Sequence, residues 1–381
     1  MSKFPGFYNL PIEERIKKVK EFAGLTNDDL ELLRSWSLEG LSTQENVIGP
    51  YVKQLKIAPN FLINEKDYFV PMVIEEPSVV AAASNGARMA RYGGGFKAYA
   101  VTEPRMISQI QITKIKDIEK AKEGIIKNKE YLLDVTNRKY REGHKHCKAT
   151  DIEVRDFDTS MGKMIVTHLI ADVENSMGAN AVNEMAEIAA PYLEQLTKGK
   201  VYLRIVSNFA DKSLFRAETK IPKKFLEKDK WSGEDVAEGI LYADALACVD
   251  IYSAVTRNKG ILNGVCAVAE ATGNDYRALE AGAHAYACRT SNYQPLIRWF
   301  DEGDNLVGKL EMPITVGTVG GTVSSPKAKL SLKILGIESS EELGEVMTSV
   351  GLSNNLAALR DMVTKGIREG HMKIQRETFR G

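Results

Sequence analysis

Cysteine is scarce: the 381 residues hold four, Cys147, Cys248, Cys266 and Cys288, with no CxxC pair and no histidine at finger spacing. That excludes a disulfide framework and a structural zinc site as organising principles, and the four read as free thiols. An excess of one charge is missing too, because Lys+Arg and Asp+Glu number 51 each. A nucleic-acid partner, whose phosphates call for a basic surplus, is therefore not expected. No run approaches the roughly 18 consecutive apolar residues of a membrane span. The opening MSKFPGFYNLPIEER has no apolar signal-peptide core, so a cytoplasmic protein without membrane contact is expected. GxGxxG after a strand pattern and GxxxxGKS/T are both absent, which removes the two commonest nucleotide-binding fingerprints. Solenoid repeats and low-complexity tracts are lacking as well.

What is present is regular patterning. Asn9 before Leu10-Pro11, and Thr26-Asn27-Asp28-Asp29 ahead of LELLRSW, are helix starts. In VIEEPSVVAAASNGARMARYGGG, Pro77 fits a first helical turn and Gly93-Gly94-Gly95 a stop, which seats Glu75 and Glu76 at the start of that helix. From about 104 to 217 the order is a strand at Met106 to Thr113, a helix over 117–140, strands at DIEVRDF and MIVTHLIADV, a helix over MGANAVNEMAEIAAPYLEQL and a strand at VYLRIVS. This βαββαβ order is the split βαβ unit of ferredoxin-like folds.

Beyond 218, Ser232 and Asp235 form a capping signature for a long helix through LYADALACVDIYSAVTRN that ends near Lys259-Gly260. Another helix follows ATGNDYR. The segments DNLVGKLEMPITVGTVGG and KAKLSLKIL read as alternating or Gly-rich, ahead of helices from about 340 and 353. The expected class is α+β: a discontinuous α-rich large domain, 1–103 and 218–369, interrupted by an inserted ferredoxin-like domain at 104–217.

Four regions place ionisable groups in segments otherwise too apolar or Gly-rich to need them: Glu75-Glu76, Lys259 in RNKGILNG, Asp275 in ATGNDYR and His371 in REGHMK. Singly each has a plain reading. A carboxylate at a helix start suits the dipole, Lys259 suits a helix end, and His371 suits an exposed terminus. GTVGG, Gly317 to Gly321, serves backbone approach to a ligand and tight packing equally well.

Seven segments acquire weight together: ENVIGP (Glu45 to Pro50), EEPSVVAAAS (Glu75 to Ser84), NSMGANAVNEMAE (Asn175 to Glu187), RNKGILNG (Arg257 to Gly264), ATGNDYRALEAGAHAYACR (Ala271 to Arg289), NNLAALR (Asn354 to Arg360) and GHM (Gly370 to Met372). In order, from about residue 8 to 372, the chain resembles the 3-hydroxy-3-methylglutaryl-coenzyme A (HMG-CoA) reductases, in their soluble class II form rather than the membrane-anchored one.

The resemblance implies a four-electron reduction of HMG-CoA to mevalonate and free CoA with two NAD(P)H, or its reverse, through a mevaldyl-CoA hemithioacetal and mevaldehyde. It gives Lys259 the role of cation for the oxyanion. His371 becomes the proton donor to the departing thiolate, and Glu76 the acid for the alcohol. A helix start favours the carboxylate, so Glu76 can be an acid near neutrality only if burial and a neighbouring Asp275 outweigh that effect. Asp275 would then tune both Glu76 and Lys259.

By the same resemblance Ser78, Asn263 and Asn355 match substrate contacts. Met177, Gly178, Asn180, Asn183 and Asn208 match cofactor contacts, with Gly178 at a helix start suited to pyrophosphate. Two departures stand out. A substrate-side arginine of the bacterial pattern is Ser253 here, with Arg257 four residues on as its substitute. Residues 370–381 begin the family's C-terminal flap, whose remainder is absent from this sequence.

NAD-preferring relatives carry an acid after an NRK-like segment. Here Asn137-Arg138-Lys139-Tyr140 is followed by Arg141, His144, Lys145, His146 and Lys148. NADPH is therefore expected as the preferred cofactor, with NADH retained, Tyr140, Arg141 and Lys145 contacting it and no metal involved. A solvated charge run is the plain alternative. ENVIGP resembles a dimer-interface segment, which implies a homodimer or an assembly of dimers. A CoA-thioester lyase or hydrolase using the same pocket, and an inactive binding scaffold, are the competing functions; oxidation of NAD(P)H by the substrate separates them.

Overall fold

Two sheets with separate apolar cores organise the chain. The computed structural model describes residues 7, 10–34, 52–144 and 146–366. Helices α1 (Ile12–Ala23) and α2 (Asn27–Arg34) open it, α1 stopping at Gly24 in the left-handed conformation. There follow strands β1 (Leu55–Ile63) and β2 (Lys66–Val73), helix α3 (Pro77–Arg91) and strand β3 (Phe96–Ala100).

The next stretch runs β4 (Met106–Thr113), α4 (Ile118–Lys127), α5 (Lys129–Arg141), β5 (Lys148–Thr159), β6 (Gly162–Asp172), α6 (Ala179–Thr197) and β7 (Lys200–Val206). Its antiparallel sheet has the order β5-β6-β4-β7, the ferredoxin-like arrangement that the βαββαβ pattern requires. Ile110, Ile112, Ile165 and Leu169 on the sheet and Leu132, Val182, Met185 and Ala189 on the helices form its core.

The chain then returns to the first sheet with β8 (Leu214–Pro222), α7 (Gly233–Ala247), α8 (Ile251–Ala271), α9 (Tyr276–Ala287), β9 (Ile297–Glu302), β10 (Asn305–Pro313), α10 (Pro326–Leu335) and α11 (Ser340–Met362). This sheet has the order β2-β1-β3-β8-β10-β9, with β1 and β3 parallel and the other pairs antiparallel. Helix α11 is buried along most of its length because small residues let its neighbours approach. A Cβ on Gly344 would meet the Phe215 ring at 2.6 Å, and one on Gly351 would meet Ile261 at 2.8 Å.

Several expected elements differ. The long helix expected to end at Lys259-Gly260 is two helices, α7 and α8, meeting at 115°. Asp250 accepts the backbone N–H of Ser253 and starts the second, which runs on through Gly260 to Ala271. KAKLSLKIL is helix α10: Ser325 caps it, Pro326 opens it, and Gly336 ends it in the left-handed conformation. The helices expected from 340 and 353 are one, α11. Ser232 and Asp235 do form the reciprocal capping box of α7. ENVIGP, Lys145, His371 and the segment 370–381 lie outside the described residues.

Candidate active site

Helix α3 begins where a carboxylate is exposed to its dipole. Glu76 is the N-cap, Pro77 is the first helical residue, and the buried Ser78 hydroxyl donates to Glu76 Oε1 at 2.6 Å. This start is held against α11: Asn354 Nδ2 donates to the Val79 carbonyl at 2.9 Å, and Ser353 Oγ to that of Ala83 at 2.6 Å. On its other side the Asn354 Oδ1 atom lies against Gly264 of α8, where a Cβ would collide with it. One side chain therefore separates the start of α3, which bears Glu76 and Ser78, from α8 at Gly264, the residue after Asn263. Lys259, one turn earlier on α8, shares the Asn263 face.

Asp275 stands at the start of α9. It is that helix's N-cap, accepting the N–H groups of Arg277 and Ala278 at 3.0 and 3.3 Å, and it pairs with the Arg277 guanidinium at 3.0 Å. The hydrogen bond from Arg277, aided by those backbone groups, holds its carboxyl below the usual range despite partial burial. Lys53, tied to Glu270 of α8 at 2.9 Å, also feels the Glu75 carboxylate and lies near Tyr276. The Glu75-Glu76 and Asp275-Tyr276 dipeptides thus flank one ion pair.

Sequence patterning missed Lys53, Glu270 and Asn354, since no local signal marks a pair 217 positions apart. Behind the pair, burial and the neighbouring Glu280 and Glu270 push the Cys266 thiol far up, which makes it an inert thiol.

Two expected substrate-side residues, Arg257 and Asn355, need correction. Arg257 is buried, with a 2.9 Å ion pair to Asp244 and a bond to the Ala243 carbonyl at 2.6 Å. Its helix phase turns it into the core, so it cannot stand in for the arginine replaced by Ser253. Asn355 is 3% exposed, and its Oδ1 accepts the Trp299 indole N–H at 2.9 Å; its neighbour Asn354 is the residue that contacts the start of α3. Lys259 is exposed in the single chain and bonds to no described residue. Asp275 is paired with Arg277 rather than with Lys259.

A second centre lies at the start of α6. Gly178 has φ +84° and is the N-cap, and a Cβ there would run into the Val173 side chain, so glycine alone fits. No acidic residue occupies the first turn, which leaves the helix start open to an anion. Asn180 is exposed beside it. Asn183 is occupied differently from expectation: its Oδ1 accepts the Val206 N–H at 2.6 Å and anchors β7. Asn208, just beyond, is exposed and packs its carbonyl against Gly282 of α9.

The end of α5 comes alongside this helix start, where His144 pairs with Glu184 of α6 at 2.9 Å. Arg141 is exposed there. Tyr140 is buried under the His144 ring at 4.5 Å, its phenol pushed up to about 12 by burial, so it supports that corner instead of facing a ligand. Gly317 resolves to tight packing: a Cβ would stand 2.5 Å from the Met177 nitrogen.

The model of the family described as hydroxymethylglutaryl-coenzyme A reductase matches residues 11–376. The chain belongs to the HMG-CoA reductase family. It is 49% identical over 387 residues to the HMG-CoA reductase of Archaeoglobus fulgidus, covering 98% of this chain and 85% of the relative. It is 30% identical to a probable HMG-CoA reductase of Borreliella burgdorferi, covering 97% and 84%. The class II HMG-CoA reductase of Streptococcus pneumoniae, solved bound to NADPH in open conformations, superposes with a TM-score of 0.89 at 36% identity, covering 94% of this chain and 99% of that one.

The chain is thus an oxidoreductase of the class II type, and the family's reaction is the reduction of HMG-CoA to mevalonate. Among the described residues no single helix is long and apolar enough to cross a membrane.

Proposed function

We propose that this reductase converts HMG-CoA to mevalonate and CoA in two hydride steps, through the mevaldyl-CoA hemithioacetal and mevaldehyde. Glu76, Lys259, Asp275 and His371 are the catalytic residues in this reading, and Ser78 and Asn263 hold the substrate. The observation that supports it is that Asn354 ties the start of α3, with its bonded Glu76 and Ser78, to α8 at Gly264, the helix that also carries Lys259 and Asn263.

The first step leaves negative charge on the former thioester oxygen, and the Lys259 ammonium is the available cation on that face. His371 gives a proton to the departing CoA thiolate, which prevents its return. Glu76, its carboxyl steadied by the Ser78 hydroxyl, gives the proton of the product alcohol.

Segments 1–103 and 218–369 bind substrate and CoA, and 104–217 binds the nicotinamide cofactor, which supplies the hydride when bound. The left-handed Gly178, the acid-free first turn of α6 and exposed Asn180 suit its pyrophosphate. Exposed Arg141, with Lys145, suits a 2′-phosphate, so NADPH is the preferred cofactor and NADH a poorer one.

The chain works as a homodimer in this reading. Val249 and Tyr252 at the corner of α7 and α8 are 85% and 82% exposed, with Tyr242, Leu246, Ile251 and Val255 around them. So large an apolar patch, running along α8 toward Lys259, calls for a cover. A second copy would also take Lys259 out of water, where its charge acts more strongly.

The test is Lys259→Ala. Turnover should fall on the order of a hundredfold or more while the thermal midpoint and NADPH affinity stay near wild type. Near-normal turnover in the folded variant would remove Lys259 from its role.

A further inference from the structure

Asn274 precedes Asp275, is buried, and uses both ends of its side-chain amide on one backbone unit. The Gly317 N–H donates to Asn274 Oδ1 at 2.7 Å, and Asn274 Nδ2 donates to the Gly317 carbonyl at 3.1 Å and to Thr272 Oγ1 at 3.0 Å. The pair mimics one rung of a β-ladder, and the amide oxygen and nitrogen are both satisfied in a buried setting where a broken bond is costly.

The far side of the same short segment holds the loop ahead of Gly178. The Thr318 N–H donates to the Asn175 carbonyl at 2.8 Å, Ser176 and Val319 form a parallel bridge, and the Gly317 Cα rests on the Met177 backbone. That loop is also pinned from α11, where the Ser340 N–H donates to Asn175 Oδ1 at 2.9 Å. Residues 317–319 are therefore a connector one strand wide, with the turn bearing Asp275 on one side and the cofactor loop on the other.

We propose that Asn274 is a positioning residue that fixes the carboxyl of Asp275 relative to the loop 175–178, so that turnover and cofactor affinity both pass through its amide. This rests on the reading of Asp275 and Gly178 given above. Asp275 is steadied at two points: its side chain by the N–H groups of Arg277 and Ala278, and its backbone by the clamp one residue earlier. Releasing the clamp frees the turn and the connector together. The substrate contacts on α3 and α8 do not pass through it, so HMG-CoA binding is expected to be spared.

The experiment uses the whole chain with Asn274→Ala, Gly317→Ala and the double variant. Gly317→Ala attacks the connection from the loop side, since its Cβ would displace the Met177 and Ser176 backbone, and it keeps the test open if the first variant folds poorly. Direct titration with NADPH, steady-state kinetics, the acid limb of the kcat profile against pH and the thermal midpoint are measured on each.

Misplacement by about an ångström can cost on the order of a hundredfold in rate, so Asn274→Ala should lower kcat by at least about tenfold. It should weaken NADPH binding about fivefold or more, displace the acid limb, and leave the KM for HMG-CoA within about twofold. The double variant should bind NADPH no worse than the weaker single one, because both break the same connection.

A lowered thermal midpoint with kcat, acid limb and NADPH affinity unchanged in both single variants would overturn the proposal and leave Asn274 a stabilising residue only. Asp275→Asn separates this failure from failure of the site reading: if Asp275→Asn keeps full kcat, the site reading itself falls. If it is inactive while Asn274→Ala and Gly317→Ala behave as wild type, the positioning role alone falls.

Discussion

Asp244 is 3% exposed, and two arginines make its burial tolerable: Arg257 at 2.9 Å and the half-exposed Arg298 at 2.9 Å. Burial pushes the Arg257 guanidinium down while Asp244 raises it, as expected where a desolvated cation is kept charged by its partner. Removing Arg257 would leave a buried carboxylate with one solvent-facing partner. Arg257→Ala should therefore cost about 3 kcal/mol of stability, read from denaturant midpoints, with the KM for HMG-CoA unchanged in the folded fraction. A raised KM with little loss of stability would restore Arg257 to the substrate. From sequence the choice was open, because Arg257 sits four positions from Ser253 on a helix whose phase is fixed only by tertiary packing.

Among elements, α11 carries a charge arranged at a cost. Glu345, half-buried near its start and receiving a bond from Asn64 Nδ2 at 3.1 Å, has its carboxyl pushed up to about 7 by burial and by Glu341 and Glu342. In the unfolded chain that carboxyl ionises near the ordinary 4.5. The folded state therefore binds the proton more tightly, and stability declines as pH rises from about 4.5 to about 7, then stays lowered. Glu345→Gln should stabilise by on the order of 1 kcal/mol at pH 8, after allowing for solvent screening, and by much less at pH 5. Equal gains at both values, by urea midpoints, would contradict the assignment.

The same scale shows why patterning worked for some elements and not for others. The strands of 104–217 alternate cleanly and their order names the fold, although the one helix expected over 117–140 is two, α4 and α5, meeting at Asn128. Strands β1 and β2 escaped because both are buried over continuous runs and contain Pro59 and Pro71, while Asn60 at φ +80° marks a bulge. KAKLSLKIL mimics a two-residue period, although its cap, opening proline and closing glycine were all readable. The break between α7 and α8 has no Gly or Pro, only Asp250 as a cap. At the site, Glu76 and Ser78 were legible as one local motif. The Lys53–Glu270 pair and the Asn354 bridge exist only once distant segments meet.

For the whole molecule, the proposed reading assigns substrate to the part built on one sheet and cofactor to the part built on the other, and the exposed corner of α7 and α8 predicts a dimer. Sedimentation at micromolar concentration should give a dimer or a multiple of it, and a fully active monomer would refute that. The central claim is a double reduction of HMG-CoA at one site. The most direct measurement follows purified chain, HMG-CoA and excess NADPH to completion, counting NADPH oxidised against HMG-CoA consumed and mevalonate formed. Two NADPH per HMG-CoA, one mevalonate and one free CoA thiol are expected; thiol release without NADPH oxidation, or a ratio of one with aldehyde as the end product, would contradict a double reduction.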